Sequence, residues 1–268
     1  MRIVVRTPTL LAAAVIVATV AGCATPPPAS DPEALAEFKE TNDPLEPTNR
    51  VFYRVNNAID TYALRPAAKA YRYVVPAPVR TSVHNLLNNL STPVVLSNDM
   101  MQGKPRRAGD TTMRFLINTT AGVVGLFDFA KDWGYPSHDT DFGITLALWG
   151  VPTGPFLFLP VIGPSDPRDA VGFGMNIVLD PFTWVGQAAV VTALNWTRFG
   201  FNAMDQRERV LDAVDNIKKT ALDPYATFRS LYRQHRESQI EETRNDNRTT
   251  IPVWFPQPTA PAATTAAR

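Results

Sequence analysis

Apolar side chains recur at steps of three and four residues along most of the chain, and this period predicts a mainly α-helical fold. The first such face comprises Phe52, Val55, Ile59 and Tyr62. A second face covers 79–90, and Pro93 is expected to end that helix because proline lacks the backbone donor a helix needs. No sustained alternation of apolar and polar residues is present, so no half-buried strands are predicted.

Aspartates mark several expected helix starts, since their side chains accept hydrogen bonds from free backbone N–H groups. Asp110 is expected to cap a third helix, and Asp205 with Glu208 to form a capping pair for the helix that follows them. Asp223 and Pro224 begin the last predicted helix, because proline fits the first helical turn.

Two segments are apolar on all sides instead of along one stripe, which is typical of helices buried in protein or in lipid. The segment 142–165 has no charged residue, but prolines and glycines interrupt any helix there. The segment 176–196 is broken at Asp180 and Pro181. The roughly 15 residues that follow, at ~1.5 Å each, are too short for a ~30 Å hydrocarbon core. This segment is therefore expected to lie along a membrane or in the protein core.

The N-terminal residues resemble a bacterial secretory signal. Arg2 and Arg6 precede an apolar run at 10–20, which leads into the sequence VAGC ending at Cys23. This junction resembles a lipobox, in which the cysteine carries a covalent lipid and becomes the first residue of the mature protein. Ala24 is not the aspartate that usually retains lipoproteins at the inner membrane. A lipid anchor on Cys23 is therefore expected, on the periplasmic side of the outer membrane of a Gram-negative bacterium.

These patterns divide the chain into four parts. Residues 1–22 are predicted to be the signal peptide, followed by a proline-rich tether at 23–41. Helical periodicity places the folded domain at 42–242, and a Pro/Ala/Thr-rich, disordered tail is predicted for 243–268. Cys23 is the only cysteine, which rules out a disulfide within the chain.

The charge balance gives no reason to expect a nucleic acid as partner. The chain has 26 basic and 25 acidic residues, and loss of the two arginines in the leader leaves 24 against 25. The three histidines lack metal-ligand spacing, and neither a G-x-S-x-G elbow nor a phosphate-binding loop is present. The sequence therefore predicts no enzyme, no metal site and no cofactor.

Two charged clusters flank the first apolar segment. Arg168 stands between Asp166 and Asp169, where it can form an ion pair at a helix start or bind a lipid phosphate as a bidentate donor. Asp139 and Asp141, in the sequence SHDTDFG, allow the same two interpretations. The sequence leaves both open.

Six blocks follow one another in an order that resembles the MlaA/VacJ family of lipoproteins, over about residues 42–234. They are NDPLEPTNRVFYRVNNAID, RPAAKAYRYVVPAPVR, NLLNNLSTPVVLSNDMMQG, RFLINTTAGVVGLFDFA, DFGITLALWGVPTGPFLFLPVIGPSDPRDAVG and DPYATFRSLYRQ. The resemblance implies an all-α, ring-like bundle of amphipathic helices in the plane of one membrane leaflet, around a central amphipathic channel. It further implies a passive route that removes mislocalised phospholipids from the outer leaflet. The implied partners are a trimeric porin and a soluble periplasmic phospholipid carrier of the MlaC type.

The resemblance also suggests a role for the first apolar segment. Residues 147–164 are expected to form a Pro/Gly-rich hairpin beside the channel, since irregular backbone at membrane depth is tolerated only against protein or a wet cavity. The side chains expected to face acyl chains or the ring interior are Phe156, Leu157, Phe158 and Leu159. The alternative is a loop folded over the helical core.

Polar groups are needed along such a channel, because a lipid headgroup must stay solvated. The candidates in the apolar blocks are Arg114, Asn118, Asp139, Asp141, Arg168 and Asp169. Two other functions stay open at this point, namely a structural envelope lipoprotein and a membrane-anchored hydrolase.

Overall fold

The computed structural model describes residues 27–28, 30–184 and 189–246, and these are mainly helical. The first helices are α1 (Pro32–Thr41), α2 (Glu46–Ile59), α3 (Arg65–Val74) and α4 (Ala77–Met101), with a π-helical turn (Asp60–Leu64) before α3. Next come α5 (Pro105–Thr120), α6 (Phe129–Asp132), α7 (Phe142–Leu148), and strands β1 (Leu157–Leu159) and β2 (Gly163–Ser165). The last helices are α8 (Pro167–Leu179), α9 (Pro181–Trp184), α10 (Ala189–Arg209), α11 (Leu211–Thr220) and α12 (Pro224–Asn245).

Proline and aspartate set where many of these helices begin. A proline lies in the first turn of α2, α3, α4, α5, α8 and α12, where its missing N–H is not needed. Asp141, Asp166 and Asp223 cap α7, α8 and α12, each by accepting a backbone N–H three residues ahead. The predicted start of the last helix at Asp223 is confirmed.

Three predicted helix boundaries are wrong. Pro93 lies inside α4, where packing against α5, α7, α8 and α10 offsets the one backbone hydrogen bond that proline removes. Asp110 lies inside α5, which already begins at Pro105. Asp205 and Glu208 lie within α10, where their buried carboxylates pair with basic side chains of α3 and α4 instead of capping α11.

The ends of the folded domain also differ from the prediction. Helix α1 lies in the stretch that was expected to be an extended tether. Helix α12 continues past residue 242, with Thr243 buried. Arg107 Nη1 lies 3.0 Å from a carboxylate oxygen of Asp246, which ties the end of α12 to α5.

The second apolar segment is interrupted where the sequence predicts. Helix α8 ends at Leu179, and Asp180 accepts a hydrogen bond from the Phe182 N–H and another from Arg198 at 2.7 Å. None of the described helices combines the length and the apolar composition that crossing a membrane requires.

Polar side chains are more frequent than apolar ones in the interior of this molecule. Among the described residues, 19 buried side chains are polar or charged and 13 are apolar, whereas 32 large apolar side chains are exposed. Extensive exposed apolar surface marks contact with a membrane or another protein. The distribution is therefore the reverse of that in a water-soluble domain.

Candidate functional site

A cavity of about 270 Å³ lies between α4, α5 and α10, and we call it the polar cavity. Val95 is the one apolar side chain among its sixteen lining residues. The wall contains six carboxamides, those of Asn85, Asn88, Asn89, Asn118, Asn202 and Gln206. Each carboxamide both donates and accepts hydrogen bonds, so the wall offers both kinds of partner to a polar group inside it.

Arg114 and Asp128, two charged groups in this wall, neutralise each other. Arg114 donates to both carboxylate oxygens of Asp128, at 3.0 and 2.9 Å, and to the Tyr135 carbonyl at 2.7 Å. Asn118 donates to the same carboxylate at 2.8 Å and accepts the Ala130 N–H at 3.0 Å. Burial raises the pKa of Asp128, but the hydrogen bonds from Arg114 and Asn118 outweigh it and hold that pKa below its usual value. The ion pair therefore stays intact at neutral pH.

Two of the helices around the polar cavity, α5 and α10, expose apolar side chains on their other faces. On α5, Met113 and Leu116 are exposed. On α10, Trp196 is 70% exposed, and Phe201 is exposed as well. A helix of a water-soluble protein turns its apolar stripe inward. These helices turn it outward and keep their polar groups around the cavity.

The Pro/Gly-rich segment forms an antiparallel hairpin of β1 and β2. Asn49 of α2 takes the place of a third strand beside β1. Its side chain donates to the Phe156 carbonyl at 3.0 Å and accepts the Phe158 N–H at 2.9 Å. The backbone next to β1 is therefore paired by a side chain from a distant helix.

Asn56, two helical turns after Asn49, repeats this arrangement at the far end of β1. It donates to the Leu159 carbonyl at 2.8 Å and accepts the Val161 N–H at 2.7 Å. Pairing of backbone groups within the protein is the condition for placing irregular backbone at membrane depth. The two asparagines meet this condition for the Phe156 and Leu159 carbonyls and for the Phe158 and Val161 N–H groups.

The prediction that all four apolar side chains of the hairpin face acyl chains or the ring interior is wrong for the two phenylalanines. Phe156 is 1% exposed, and its ring and that of Phe158 pack against Tyr225 of α12. Leu157 and Leu159 are half-buried on the other side of the strand. Because side chains alternate along a strand, the phenylalanines turn toward α2 and α12. For these two side chains the alternative prediction, a loop folded over the helical core, fits the structure.

The hairpin turn and the tryptophans provide exposed apolar surface. Val161 and Ile162, at the turn, are both exposed. The exposed tryptophans among the described residues are Trp133, Trp149, Trp184 and Trp196. The indole N–H groups of Trp149 and Trp184 donate to backbone carbonyls at 3.1 and 2.7 Å, so their polar edges are satisfied. Tryptophan is enriched where a membrane meets water, because its ring is apolar and its N–H is polar.

A second cavity, of about 750 Å³, lies between α12 and the loop that joins α7 to the hairpin. We call it the arginine cavity, because its lining includes Arg168, Arg233, Arg236 and Arg244. Residues 150–154 form the opposite wall. Gly150 and Gly154 have φ of +90° and +77°, a conformation that glycine adopts without strain.

Asp141 and Asp169 are held in an ion-pair network behind the arginine cavity. Arg236 donates to both oxygens of Asp141 at 2.7 Å and to Asp169 at 2.9 Å. The Tyr232 hydroxyl donates to Asp169 at 2.5 Å. Burial raises the pKa of Asp169, but Arg236 outweighs this effect and the pKa lies below its usual value. Structural pairing, one of the two interpretations of these clusters, describes both aspartates.

The structure divides the predicted polar residues into two groups. Arg114, Asn118 and Asp139 share the polar cavity, and Asp139 is exposed. Arg168 lines the arginine cavity, with the paired Asp141 and Asp169 behind it. Cys23, the predicted lipid attachment site, lies outside the described residues.

Sequence reasoning identified Asn118 but missed the asparagines of α2 and α4, although their spacing carries a signal. Asn85, Asn88 and Asn89 recur at three- and four-residue steps, so they share one face of α4. Asn49 and Asn56 are seven residues apart and therefore share one face of α2. A polar stripe opposite an apolar stripe could have identified the cavity wall, whereas nothing local predicts the contact between α2 and the hairpin.

One contact in the wall of the polar cavity has the residue types of a hydrolase but not the geometry. His138 Nε2 lies 2.9 Å from a carboxylate oxygen of Asp99, and the Thr111 hydroxyl donates to that same oxygen at 2.6 Å. In a catalytic triad the hydroxyl donates to histidine, and the carboxylate binds the other ring nitrogen. Within the described ranges, no three His, Cys, Asp or Glu side chains are grouped so as to hold a metal ion.

Comparison with known proteins gives one consistent result. Residues 41–239 match the family model of the MlaA lipoproteins. The chain is 32% identical over 242 residues to the intermembrane phospholipid transport system lipoprotein MlaA of Haemophilus influenzae, covering 88% of this chain and 92% of that relative. It is 34% identical over 203 residues to the lipoprotein of the same name from Escherichia coli K12, covering 73% and 77%. A solved structure, reported as "Structural basis for maintenance of bacterial outer membrane lipid asymmetry", aligns with a TM-score of 0.64 and 30% identity, covering 74% of this chain and 98% of that one.

Proposed function

The chain belongs to the MlaA lipoprotein family, and we propose that it removes mislocalised phospholipids from the outer leaflet of the outer membrane. The lipids pass to a periplasmic carrier of the MlaC type, and the result is maintenance of outer-membrane lipid asymmetry. Two relatives are named as lipoproteins of an intermembrane phospholipid transport system, and the solved structure was described for outer-membrane lipid asymmetry. These names support the proposal.

The observation that carries the proposal is the polar cavity inside an apolar exterior. A charged headgroup that enters hydrocarbon loses its hydration at a cost of many kcal/mol. The carboxamide wall replaces that hydration with hydrogen bonds, while acyl chains stay outside against the exposed apolar faces. A volume of about 270 Å³ corresponds to roughly nine water molecules, which is room for a headgroup-sized polar group.

The passage is passive in this proposal. The sequence has no phosphate-binding loop for a nucleotide, so no fuel is assigned to this chain. An equilibrium path lowers the barrier equally in both directions. The direction of net transport is therefore set by the carrier that accepts the lipid.

The proposal places the protein in the periplasm-facing leaflet of the outer membrane, anchored by a lipid on Cys23. Exposed apolar side chains on α8, α9 and α10 supply surface for acyl chains and for a trimeric porin. The porin and the carrier are proposed from the family resemblance. Co-purification of a porin trimer in mild detergent, and transfer of labelled phospholipid to the purified carrier, are the expected results.

A pair of tryptophan substitutions in α4 tests the function. Asn88→Trp fills the polar cavity, whereas Met100→Trp adds the same indole at an exposed position on the same helix. In a strain lacking the protein, Met100→Trp should restore normal outer-leaflet phospholipid and detergent resistance, and Asn88→Trp should not. Both variants must reach the outer membrane in equal amounts.

Two results would count against the proposal in different ways. Normal lipid asymmetry in the deletion strain would contradict the function itself. Normal asymmetry with Asn88→Trp would contradict the polar cavity as the path.

A further inference from the structure

Arg168, in the arginine cavity, is a buried cation with weak partners. Its side chain is 3% exposed. Nε lies 3.3 Å from Asp169, Nη1 lies 3.2 Å from the Thr153 hydroxyl, and Nη2 makes no hydrogen bond and lies 3.6 Å from Asp166. A guanidinium has five N–H donors, and a buried charge is costly unless its pairing is complete. An anion that enters the cavity supplies the missing partner.

The neighbouring Arg236 is held more closely by carboxylates in the same wall. It makes four contacts of 2.5 to 2.9 Å to Asp141 and Asp169. Asp141 is therefore committed to Arg236, whereas Asp169 is shared among Arg236, Tyr232 and Arg168. Asp166, the remaining carboxylate that faces Arg168, lies 3.6 Å from Nη2, too far for a hydrogen bond. Nη2 of Arg168 is thus left as a buried donor without an acceptor in the wall of the cavity.

The opposite charge lies one helical turn away on α12. Arg233, Glu237 and Glu241 follow one another at steps of four residues and line the cavity together. The side chains of Glu237 and Glu241 make no hydrogen bond or ion pair with any described residue. Like charges at this spacing repel each other, and a bound cation between them relieves the repulsion.

We propose that the arginine cavity binds a zwitterionic phospholipid headgroup of the phosphoethanolamine type. Its phosphate contacts Arg168 and Arg233, and its ammonium pairs with Glu237, with Glu241 one helical turn further along α12. Four residues of helix advance about 6 Å along the axis, a span comparable with the distance from phosphate to ammonium in such a headgroup.

The apolar wall and the size of the cavity fit the rest of that ligand. Val151 and Pro152 face the charged helix from the other side, where glycerol and the first acyl carbons can lie. A volume of about 750 Å³ exceeds what a headgroup alone requires. The inference takes a phospholipid as ligand from the proposed function, but the site is separate from the polar cavity.

The test measures affinity of the purified full-length protein in a non-ionic detergent. The probes are dihexanoyl phosphatidylethanolamine, dihexanoyl phosphatidylglycerol, glycerophosphoethanolamine and inorganic phosphate, titrated by calorimetry. The wild-type protein should bind the ethanolamine lipid about tenfold more tightly than the glycerol lipid, since one headgroup has an ammonium and the other does not.

Charge-removing variants separate the two halves of the site. The double variant E237Q/E241Q should bind the ethanolamine lipid about tenfold more weakly, with its affinity for the glycerol lipid unchanged. R233Q should bind both lipids about tenfold more weakly, because both carry the phosphate. S238A, at an exposed position of α12 outside the cavity, is the matched control and should change neither.

Several outcomes would overturn the proposal. Equal affinity of the wild-type protein for both lipids, or a preference that persists in E237Q/E241Q, excludes recognition of the ammonium. Inorganic phosphate that competes as well as the ethanolamine lipid shows a plain anion site. Binding in detergent does not depend on transport, so normal asymmetry in a deletion strain with binding intact would refute the proposed function alone.

Discussion

Replacement of Asn49 by leucine tests how the hairpin is held to the helices. Leucine has nearly the same shape but removes three hydrogen bonds. Asn49 donates to the Asp43 carboxylate at 2.8 Å and to the Phe156 carbonyl at 3.0 Å, and it accepts the Phe158 N–H at 2.9 Å. The side chain is buried, so water cannot take its place.

The cost follows from the groups left without partners. Each buried polar group without a hydrogen bond costs about 1–3 kcal/mol, so the two backbone groups of the hairpin together cost about 2–6 kcal/mol. This approaches the total stability of many domains, about 5–15 kcal/mol, but the loss falls on the hairpin and opens it locally. Asn56→Leu is the matched control, since it removes the same kinds of bond at a half-buried position, where water can replace part of what is lost. Its cost should be about 1 kcal/mol.

Hydrogen exchange of the peptide covering 155–165, measured by mass spectrometry in detergent micelles, reads out this opening. A decrease of 2 kcal/mol or more in the free energy of opening the hairpin accelerates exchange by at least roughly 30-fold, whereas a decrease of 1 kcal/mol accelerates it only about fivefold. Equal exchange rates in the two variants, or unchanged protection in Asn49→Leu, would show that the asparagine does not anchor the hairpin.

Three further outcomes are expected from melting experiments in detergent. Phe156→Ala should cost about 3–5 kcal/mol, whereas Val161→Ala at the exposed turn should stay within about 0.5 kcal/mol; similar losses would place both side chains in lipid. Gly172→Ala puts a methyl group 2.4 Å from a backbone nitrogen of α7 and should lower the stability by about 1–3 kcal/mol. Gly174→Ala, with open space around it, should raise the stability by up to about 1 kcal/mol. Unchanged stability of Gly172→Ala would contradict the close approach of α7 and α8. Arg65 of α3 lowers the pKa of Asp215 from 3.8 to about 2, so this carboxylate stabilises the fold fully above pH 4 and loses its effect as the pH falls toward 2. Asp215→Asn should remove that part of the dependence of stability on acid pH. An unchanged dependence would refute the ion pair.

Local signals in the sequence were sufficient where the physical effect is itself local. Asp223 caps α12 and Pro224 fits its first turn, because both act within one helical turn. Pro93 and Asp205 were misread, since what decides their position is packing and ion pairing with helices far away in the chain. Asn49 and the hairpin are 107 residues apart, and no periodicity reports such a contact.

The apolar faces were located correctly, but what covers them could not be read from their period. Val55, Ile59 and Tyr62 are exposed although they form a regular apolar stripe on one side of α2 and the turn after it. A period of 3.6 residues shows that a helix has an apolar face, and it does not distinguish a protein core from a lipid phase. The same ambiguity allowed Phe156 and Phe158 to be placed against acyl chains, whereas they pack on Tyr225.

The central claim is that α5 and α10 turn polar groups toward the polar cavity and apolar groups toward lipid. Spin labels at Trp196 and Asn202 of α10, one on the exposed apolar face and one in the cavity wall, test it in reconstituted membranes. The account predicts that oxygen dissolved in lipid relaxes the label at 196, and that a water-soluble nickel reagent relaxes the label at 202. Two labels that both respond to oxygen, or both to nickel, would contradict it.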